Sequence, residues 1–243
     1  MRDRSRPPRI WAAVPFRGPV GSKQRLAGLL DAVERERLSL AMLADVLDVL
    51  LGVDRIERVL LLTATQQSVP LPDVERLTVV EEVSGTNGAR EDGSSLNTAL
   101  RQAQQVARSA GAEGLLILPS DLPLLAPADV EAMLDAAASA QVVIAPDRGA
   151  GGTNALLLAP PGAIAPSFGE QSYANHRQAA GLAGLSVTIV ERRALGLDLD
   201  TAEDVAALLE SQHAGRAARL LRELRVDRRL ERLAPSQARS TTI

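Results

Sequence analysis

The sequence contains no cysteine, and this absence excludes several chemistries at once. Disulfides, thiolate metal sites and cysteine nucleophiles all require the missing side chain. Only two histidines are present, which leaves little room for a histidine metal site or a catalytic dyad. Aromatic residues make up 2% of the chain, so leucine, valine and alanine must fill the core of a chain that is 46% hydrophobic.

Long apolar runs are also missing. No stretch approaches the roughly 20 apolar residues of a membrane span. The first apolar run is too short for a signal peptide and is interrupted by Arg17. We therefore predict a cytoplasmic protein without a membrane partner. The net charge of −3 hides a basic segment from Ala214 to Ile243, at about +5, and an acidic remainder near −8, and an acidic body argues against nucleic acid as the main partner.

Lysine is almost absent: among 27 basic residues, only Lys23 is a lysine. It follows an apolar strand and a Gly/Pro loop, and Arg17 and Arg25 lie on either side of it. A strand that runs into a glycine-rich basic loop is a common way to hold phosphates. We predict that Lys23 binds a phosphate group, where its compact ammonium differs from an arginine. The alternative is a solvated surface lysine.

Strands and helices alternate along the chain. Asp31 and Glu34 form a capping-box pattern at the start of a helix that runs to about Leu51. Alternation of this kind predicts an α/β three-layer sandwich, with an open, mostly parallel sheet and helices on both faces. The predicted strands are 10–16, 58–63, 77–82, 114–118, 141–146, 153–158, 187–190 and a short one at 197–200. The other predicted helices are 96–110, 127–138, 172–183, one from residue 201, and 215–233.

Three carboxylates follow predicted strands. In open parallel sheets, ligands bind beyond the carboxyl ends of the strands. Asp121 follows a buried strand, and Asp198 and Asp200 alternate around Leu199, which places both carboxylates on one face. Clustered carboxylates without cysteine or histidine suit Mg²⁺, which shares its shell with substrate phosphates. For Asp200 the alternative is a helix cap together with Thr201.

Several familiar motifs are missing. The loop before Lys23 is not a Walker A sequence, because the spacing from Gly18 is wrong and no Ser or Thr follows the lysine. No G-x-G-x-x-G follows the first strand, which argues against a dinucleotide cofactor. No Ser/His/acid set is placed for acyl hydrolysis. A strand-end aspartate with a basic loop instead indicates nucleotidyl transfer from a magnesium nucleoside triphosphate.

Short motifs occur in this order along the chain: Val14–Arg17, Ser22–Leu26, Leu96–Asn97, Pro119–Leu124, Ala145–Arg148, Gly152–Leu156, Phe168–Ser172 and Asp198–Thr201. Together they resemble the guanylyltransferases of coenzyme F-420 biosynthesis, which activate 2-phospho-L-lactate or phosphoenolpyruvate and, in some bacteria, 3-phospho-D-glycerate. The resemblance extends from Ile10 to about Leu209. It implies a fold similar to the molybdopterin guanylyltransferase and nucleotide-diphospho-sugar transferase type.

The resemblance also implies residue roles. By it, Mg²⁺ is bound by Asp121, Asp198 and Asp200, the triphosphate by Arg17, Lys23 and Arg25, the guanosine by Ser95 and Asn97, and the acceptor acid by Thr153, Gly169 and Ser172. Lys23, Arg25 and Asp121 would act directly in catalysis. The implied partners are GTP, a small phosphorylated three-carbon acid and a downstream deazaflavin transferase. The rival functions are a nucleotidyltransferase for a sugar phosphate or molybdopterin, and a non-catalytic GTP-binding module.

The acceptor side is less specific. The stretches Gly152–Asn154 and Gly169–Ser172 read as loops whose free N–H groups and hydroxyls suit a phosphate or carboxylate, with ordinary turns as the alternative. The segment Gly149–Thr153 departs from the family pattern, as do Arg17, Gln24 and Ser120, and leaves the identity of the acid open. Backbone N–H groups of Ser84–Ser95 are candidates for guanine recognition. His176 reads as a partly exposed helix histidine, with acceptor contact as the alternative.

We divide the chain into a basic N-terminal extension (1–9), a nucleotidyltransferase domain (10–213), an Arg-rich amphipathic helix (214–233) and a disordered tail (234–243). The leucines of the Arg-rich helix, including Leu220, Leu221 and Leu224, are predicted to dock on the body or across a homodimer. The alternative is that this helix is an arm for binding another protein.

Overall fold

A computed structural model describes residues 8–63, 71–81 and 94–233. Within these ranges the chain forms a seven-stranded sheet with helices on both faces, which confirms the predicted α/β class. The strands are β1 (Ile10–Phe16), β2 (Ile56–Thr63), β3 (Leu77–Glu81), β4 (Gly114–Ile117), β5 (Val142–Pro146), β6 (Thr153–Leu158) and β7 (Val187–Ile189). The helices are α1 (Ala32–Gly52), α2 (Ser94–Ser109), α3 (Pro127–Ala136), α4 (Ser172–Leu182), α5 (Arg193–Gly196), α6 (Ala202–Glu210), α7 (Arg216–Glu223) and α8 (Val226–Leu233).

The strand order is β3-β2-β1-β4-β6-β5-β7. Strand β1 pairs in parallel with β2 and β4, whereas β6 runs antiparallel to both β4 and β5. The sheet is therefore mostly parallel, as predicted, with one reversed strand. Because β6 is reversed, its first residue, Thr153, lies at the edge where β4 and β5 end.

Two apolar clusters lie on the two faces of the sheet. Side chains alternate along a strand, so Ala12 and Val14 of β1 join one cluster while Trp11 and Ala13 join the other. Helices α1 and α3 cover the first face, and α2 and α4 cover the second. Helix α1 begins at the predicted capping box, since Asp31 accepts from the Glu34 amide. The helices thus fill the layers on either side of the sheet.

The basic C-terminal segment packs on the body of its own chain. Leu221 is fully buried, Leu220 is nearly so, and both lie in a third apolar cluster with residues of α1 and α6. The prediction that these leucines dock on the body is confirmed. The single predicted helix over 215–233 is wrong, because the chain turns between α7 and α8, where Arg225 has a left-handed φ of 54°.

The segment 197–200 forms no strand, contrary to the prediction. The short helix α5, which the sequence pattern did not predict, precedes it. The Leu199 amide donates instead to the main-chain oxygen of Asp121 at 3.1 Å, and this main-chain hydrogen bond attaches the segment beyond the end of β4. Residues 1–7, 64–70, 82–93 and 234–243 lie outside the described ranges, and they include most of the proposed guanine-recognition loop. No helix within those ranges is long and apolar enough to cross a membrane.

Candidate active site

Lys23 lies at the centre of the site, in the loop after β1. Its ammonium donates to Asp121 Oδ2 at 2.5 Å and to Asp200 Oδ1 at 2.7 Å, and its side chain is only 8% exposed. The backbone of Lys23 has φ 54°, a left-handed conformation that L-residues rarely adopt. The loop thus turns a buried lysine onto two carboxylates that are distant in sequence.

The charges of this cluster shift the pKa values of its members. Burial lowers the pKa of Lys23, but the carboxylates of Asp121 and Asp200 outweigh it, so the pKa is raised and the ammonium stays charged. Burial raises the pKa of Asp198, and the nearby charges of Asp121 and Asp200 raise it further. The Asn154 amide, which donates to Asp198 Oδ1 at 3.3 Å, acts in the opposite direction. The three aspartates therefore interact electrostatically.

Asp204 holds the segment that carries Asp200. Its Oδ2 accepts from the amides of Asp200 and Thr201, and its Oδ1 accepts from Arg148 at 3.1 Å. Burial raises the pKa of Asp204, but these hydrogen bonds outweigh it and lower the pKa. Thr201, not Asp200, caps α6. The Asp200 carboxylate instead accepts a hydrogen bond from Lys23. Our sequence reasoning missed Asp204, although the Thr201-x-x-Asp204 pattern is a readable capping box.

The carboxylates fit a hard divalent cation. Asp121 Oδ1 is buried and has no hydrogen-bond partner within the described residues. Across residues 8–63, 71–81 and 94–233, no three acidic or histidine side chains are grouped closely enough to hold a metal ion by themselves; the Lys23 ammonium bridges Asp121 and Asp200 instead. Mg²⁺ commonly takes one or two protein carboxylates and completes its shell with water and substrate phosphates. The donor set therefore suits it.

Two further cations lie at the same edge. Arg17 donates to Ser95 Oγ at 2.6 Å, which joins the loop after β1 to the start of α2. Arg25 lies 4.0 Å from Asp200 and its side chain is 76% exposed. The structure thus places all three predicted triphosphate-binding cations, and Ser95, around one edge of the sheet.

The predicted acceptor residues meet at the first turn of α4. Ser172 is the first residue of α4, and its amide donates to the Gly169 carbonyl at 3.2 Å. Gly169 has φ 120°, which favours glycine, and a Cβ there would meet nothing within 4 Å. Thr153 Oγ1 lies 3.0 Å from Nδ1 of His176, one helical turn beyond Ser172. The three residues therefore border one region beside β6.

Some expectations for this region are wrong. The amides of Gly151 and Gly152 are not free, because both donate to the Asp147 carboxylate, at 3.0 and 2.8 Å. The expectation of a partly exposed His176 is also wrong, since its ring is 0% exposed. The polar residues beside His176 in α4, which include Ser172, Asn175 and Arg177, gave no sequence signal for its burial. The turn that joins Asp147 to Gly151 and Gly152 is local, so the sequence could have indicated it.

The side-chain amide of Asn97, which was predicted to lie near the guanosine, makes hydrogen bonds within the protein. Its Nδ2 donates to the Phe168 carbonyl at 3.0 Å, and its Oδ1 accepts from the Phe168 amide at 2.8 Å. The structure thereby places Asn97 against the segment that carries Gly169.

A family sequence model described as "Guanylyl transferase CofC like" matches residues 10–241 of the chain. This chain belongs to that family. The match confirms the resemblance carried by the ordered motifs. It also extends beyond Leu209, where we expected the resemblance to end, so α7 and α8 are part of the CofC-like sequence rather than an addition to it.

Named relatives of this CofC-like chain differ in their acceptor acid. A phosphoenolpyruvate guanylyltransferase of Rubrobacter xylanophilus is 43% identical over 82% of this chain and 93% of the relative. A 2-phospho-L-lactate guanylyltransferase of Methanothermobacter thermautotrophicus is 37% identical over 88% and 90%. A 3-phospho-D-glycerate guanylyltransferase of Phenylobacterium zucineum is 35% identical over 88% and 96%.

Solved structures support the same fold. A crystal structure described as a nucleotide-diphospho-sugar transferase from Desulfovibrio desulfuricans has a TM-score of 0.70 at 16% identity, covering 92% of the CofC-like chain and 97% of its own. The Rv0371c protein of Mycobacterium tuberculosis, in complex with manganese, has a TM-score of 0.52 at 20% identity, covering 84% and 99%. At such identities the likeness shows the fold alone, and it confirms the predicted nucleotide-diphospho-sugar transferase type.

Proposed function

We propose that this CofC-like chain transfers GMP from GTP to the phosphate of a small three-carbon phospho-acid and releases pyrophosphate. The observation that carries the proposal is the contact of Lys23 with Asp121 and Asp200, which joins three distant parts of the chain at one edge of the sheet. The product would be a GDP-linked acid, which a second enzyme would join to a deazaflavin in coenzyme F-420 biosynthesis.

The acceptor class follows from what the relatives' acids share. Phosphoenolpyruvate, 2-phospho-L-lactate and 3-phospho-D-glycerate each carry a phosphate and a carboxylate on a three-carbon skeleton. The Thr153 hydroxyl, the first turn of α4 at Ser172 and the open backbone of Gly169 border one region that suits such an anion. The relatives' acids favour a phospho-acid over a sugar phosphate or a pterin as the acceptor.

The reaction requires positioning more than proton transfer. A phosphate oxygen of the acceptor attacks the α-phosphorus of GTP, a new phosphorus–oxygen bond forms, and the bond to the bridging oxygen of the β-phosphate breaks. The nucleophile is already ionised at neutral pH, so no general base is needed. Lys23, Arg17 and Arg25 neutralise the triphosphate and the leaving pyrophosphate, as phosphoryl-transfer sites commonly do.

A divalent cation belongs to this proposal. Asp121, Asp198 and Asp200 would hold Mg²⁺ only together with water and the phosphates of GTP, and Mg²⁺ when bound would supply additional positive charge against those phosphates. Lys23 keeps two of these carboxylates paired in the free chain, which prevents uncompensated like charges from lying together at a partly buried position. The buried and unpartnered oxygen of Asp121 supports its role as a ligand.

Pyrophosphate release tests the proposal directly. The purified chain would be given GTP and Mg²⁺ with each of the three acids in separate reactions, and with no acid as the blank. We expect release that depends on one acid, and a GDP-linked product of the matching mass. Binding of GTP without release in any reaction would contradict the proposal and favour a binding module. A further reaction with a sugar phosphate in place of the acid tests the rival nucleotidyltransferase, and release in that reaction alone would favour it. Replacing GTP with ATP measures how strictly the chain requires guanine.

A further inference from the structure

His176 is buried between two parts of the acceptor region. Its Nδ1 lies 3.0 Å from Thr153 Oγ1, and its Nε2 accepts from the Ser167 amide at 2.9 Å. The Phe168 ring meets the imidazole edge-on, with the ring centroids 5.1 Å apart. Thr153 is thus one of the residues predicted to receive the acceptor, and Ser167 lies two residues before another, Gly169.

These contacts determine which nitrogen of the ring carries the proton. A backbone amide can only donate, so Nε2 must present a lone pair to Ser167. The neutral ring then carries its proton on Nδ1, and Nδ1–H donates to Thr153 Oγ1. Burial lowers the pKa of His176 to about 4, which keeps the ring neutral near pH 7. The ring is therefore a fixed donor toward Thr153.

A fixed donor on one side of a hydroxyl directs the hydroxyl's own proton elsewhere. Thr153 Oγ1 makes no other hydrogen bond within the described part of the chain. Its O–H, with one lone pair occupied by His176, remains a donor for a group outside the protein. An anionic oxygen is the best acceptor for such a donor, because hydrogen bonds to charged groups are the stronger ones.

The same ring holds the segment before Gly169. His176 binds the Ser167 amide, and Asn97 binds both the amide and the carbonyl of Phe168. Three backbone groups of Ser167 and Phe168 are thereby held in place before Gly169, which has a φ of 120°. His176 thus contacts both the Thr153 hydroxyl and the segment before Gly169.

We propose that His176 is a positioning residue for the acceptor, which holds the Thr153 hydroxyl as a donor to the phosphate or carboxylate of the phospho-acid and fixes the Ser167–Gly169 segment beside it. This inference rests on the proposed function, because it assumes that a phospho-acid binds here. His176 takes no part in proton transfer, since both of its nitrogens are used by the protein.

Two amide variants separate the two contacts. His176→Asn places a donor near the Nδ1 position, and His176→Gln places an acceptor near the Nε2 position. With the acid that the wild type uses, we expect His176→Asn to retain the KM for the acid within about threefold, and His176→Gln and His176→Ala to raise it about tenfold or more. The KM for GTP should stay unchanged in all three. Gln178→Ala, an exposed position of α4, is the matched control.

A double variant tests whether His176 acts through Thr153. In the Thr153→Val background the hydroxyl is already absent, so adding His176→Gln, which lacks the donor toward Thr153, should raise the KM for the acid by less than in the wild-type background. Fully additive losses, or equal rises in the KM for GTP and for the acid, would overturn the inference and leave His176 a residue of the core alone.

Histidine-selective ¹⁵N NMR on the wild-type chain needs no variant and covers the case in which substitutions unfold the protein. With two histidines in the chain, the spectrum is readily assigned. We expect His176 to show the Nδ1–H tautomer and to shift when the acid is added. The Nε2–H tautomer, or no response to an acid that binds, would overturn the inference. Absence of any guanylyl transfer by the wild type would instead refute the proposed function.

Discussion

The side-chain amide of Asn154 donates to the Asp198 carboxylate at 3.3 Å, and the residue before Asn154 contacts His176. Successive residues of a strand point to opposite faces, so β6 contributes Thr153 to the acceptor region and Asn154 to the carboxylate cluster. The reversed direction of β6 places both at the start of the strand, at the edge where β4 ends. The two halves of the proposed reaction are therefore linked by adjacent residues.

Asn154→Ala should move the acidic limb of the pH–activity profile to higher pH. The Asn154 hydrogen bond lowers the pKa of Asp198, so its loss raises a pKa that burial has already raised. Asp198 would then be protonated at a higher pH than in the wild type. The measurement is kcat/KM for GTP between about pH 5 and pH 8. A limb that stays in place would contradict a role for the Asp198 charge.

Asp121→Asn should abolish turnover with little loss of fold. The amide cannot replace the negative charge at the centre of the site, so we expect a loss of about a hundredfold or more in kcat. Lys23 retains its contact with Asp200, so the midpoint of urea unfolding should change little. Asp135→Asn, which removes the same charge from an exposed ion pair on α3, is the control. Retained turnover in Asp121→Asn would refute the metal and catalytic assignment.

Asn97→Ala should weaken binding of the acceptor acid rather than binding of the nucleotide. Both polar atoms of the Asn97 amide bind Phe168, so their loss releases the backbone before Gly169. We expect the KM for the phospho-acid to rise about tenfold while the KM for GTP stays the same. Gln105→Ala, at an exposed position of α2, serves as the control. A rise in the KM for GTP alone would instead support the guanosine contact that the family resemblance implies.

Leu221→Ala should destabilise the whole domain, because α7 is part of its core. Leu221 is fully buried in the cluster that α7 forms with α1 and α6. Removing a buried leucine costs about 2–5 kcal/mol of unfolding free energy. Arg219→Ala, at an exposed position of the same helix, should cost less than about 0.5 kcal/mol. Equal denaturation midpoints for the two variants would show that α7 is a dispensable arm.

Acid should destabilise the wild type partly through His176. The folded pKa of about 4 lies below the ordinary value of 6.5, so between these values the unfolded chain binds more protons. Stability that is fully present above pH 6.5 is therefore lost as the pH falls toward 4, by up to about 3 kcal/mol. Urea unfolding of the wild type and of His176→Asn at pH 7.5 and pH 4.5 measures this. Equal losses in both proteins would contradict it.

Much of the fold was readable from local patterns. The capping box at Asp31 correctly marked the start of α1. Gly111, which has a φ of 76°, correctly marked the end of α2. Predictions failed where no local pattern exists. Residues 197–200 were predicted to form a short strand, but a strand depends on a neighbouring strand that is distant in sequence. The Leu199 amide instead donates to the main-chain oxygen of Asp121, beyond the end of β4.

The sequence by itself determined the α/β class, the cap of α1 and the residue types at the nucleotide edge, because periodicity, capping and turn chemistry act between residues that are close in the chain. Only the tertiary structure decided that Lys23 bridges Asp121 and Asp200, and that His176 faces Thr153. The first contact joins residues 177 positions apart. Such meetings depend on the order and direction of strands and on which side of a helix faces the sheet, and these follow from packing the whole chain.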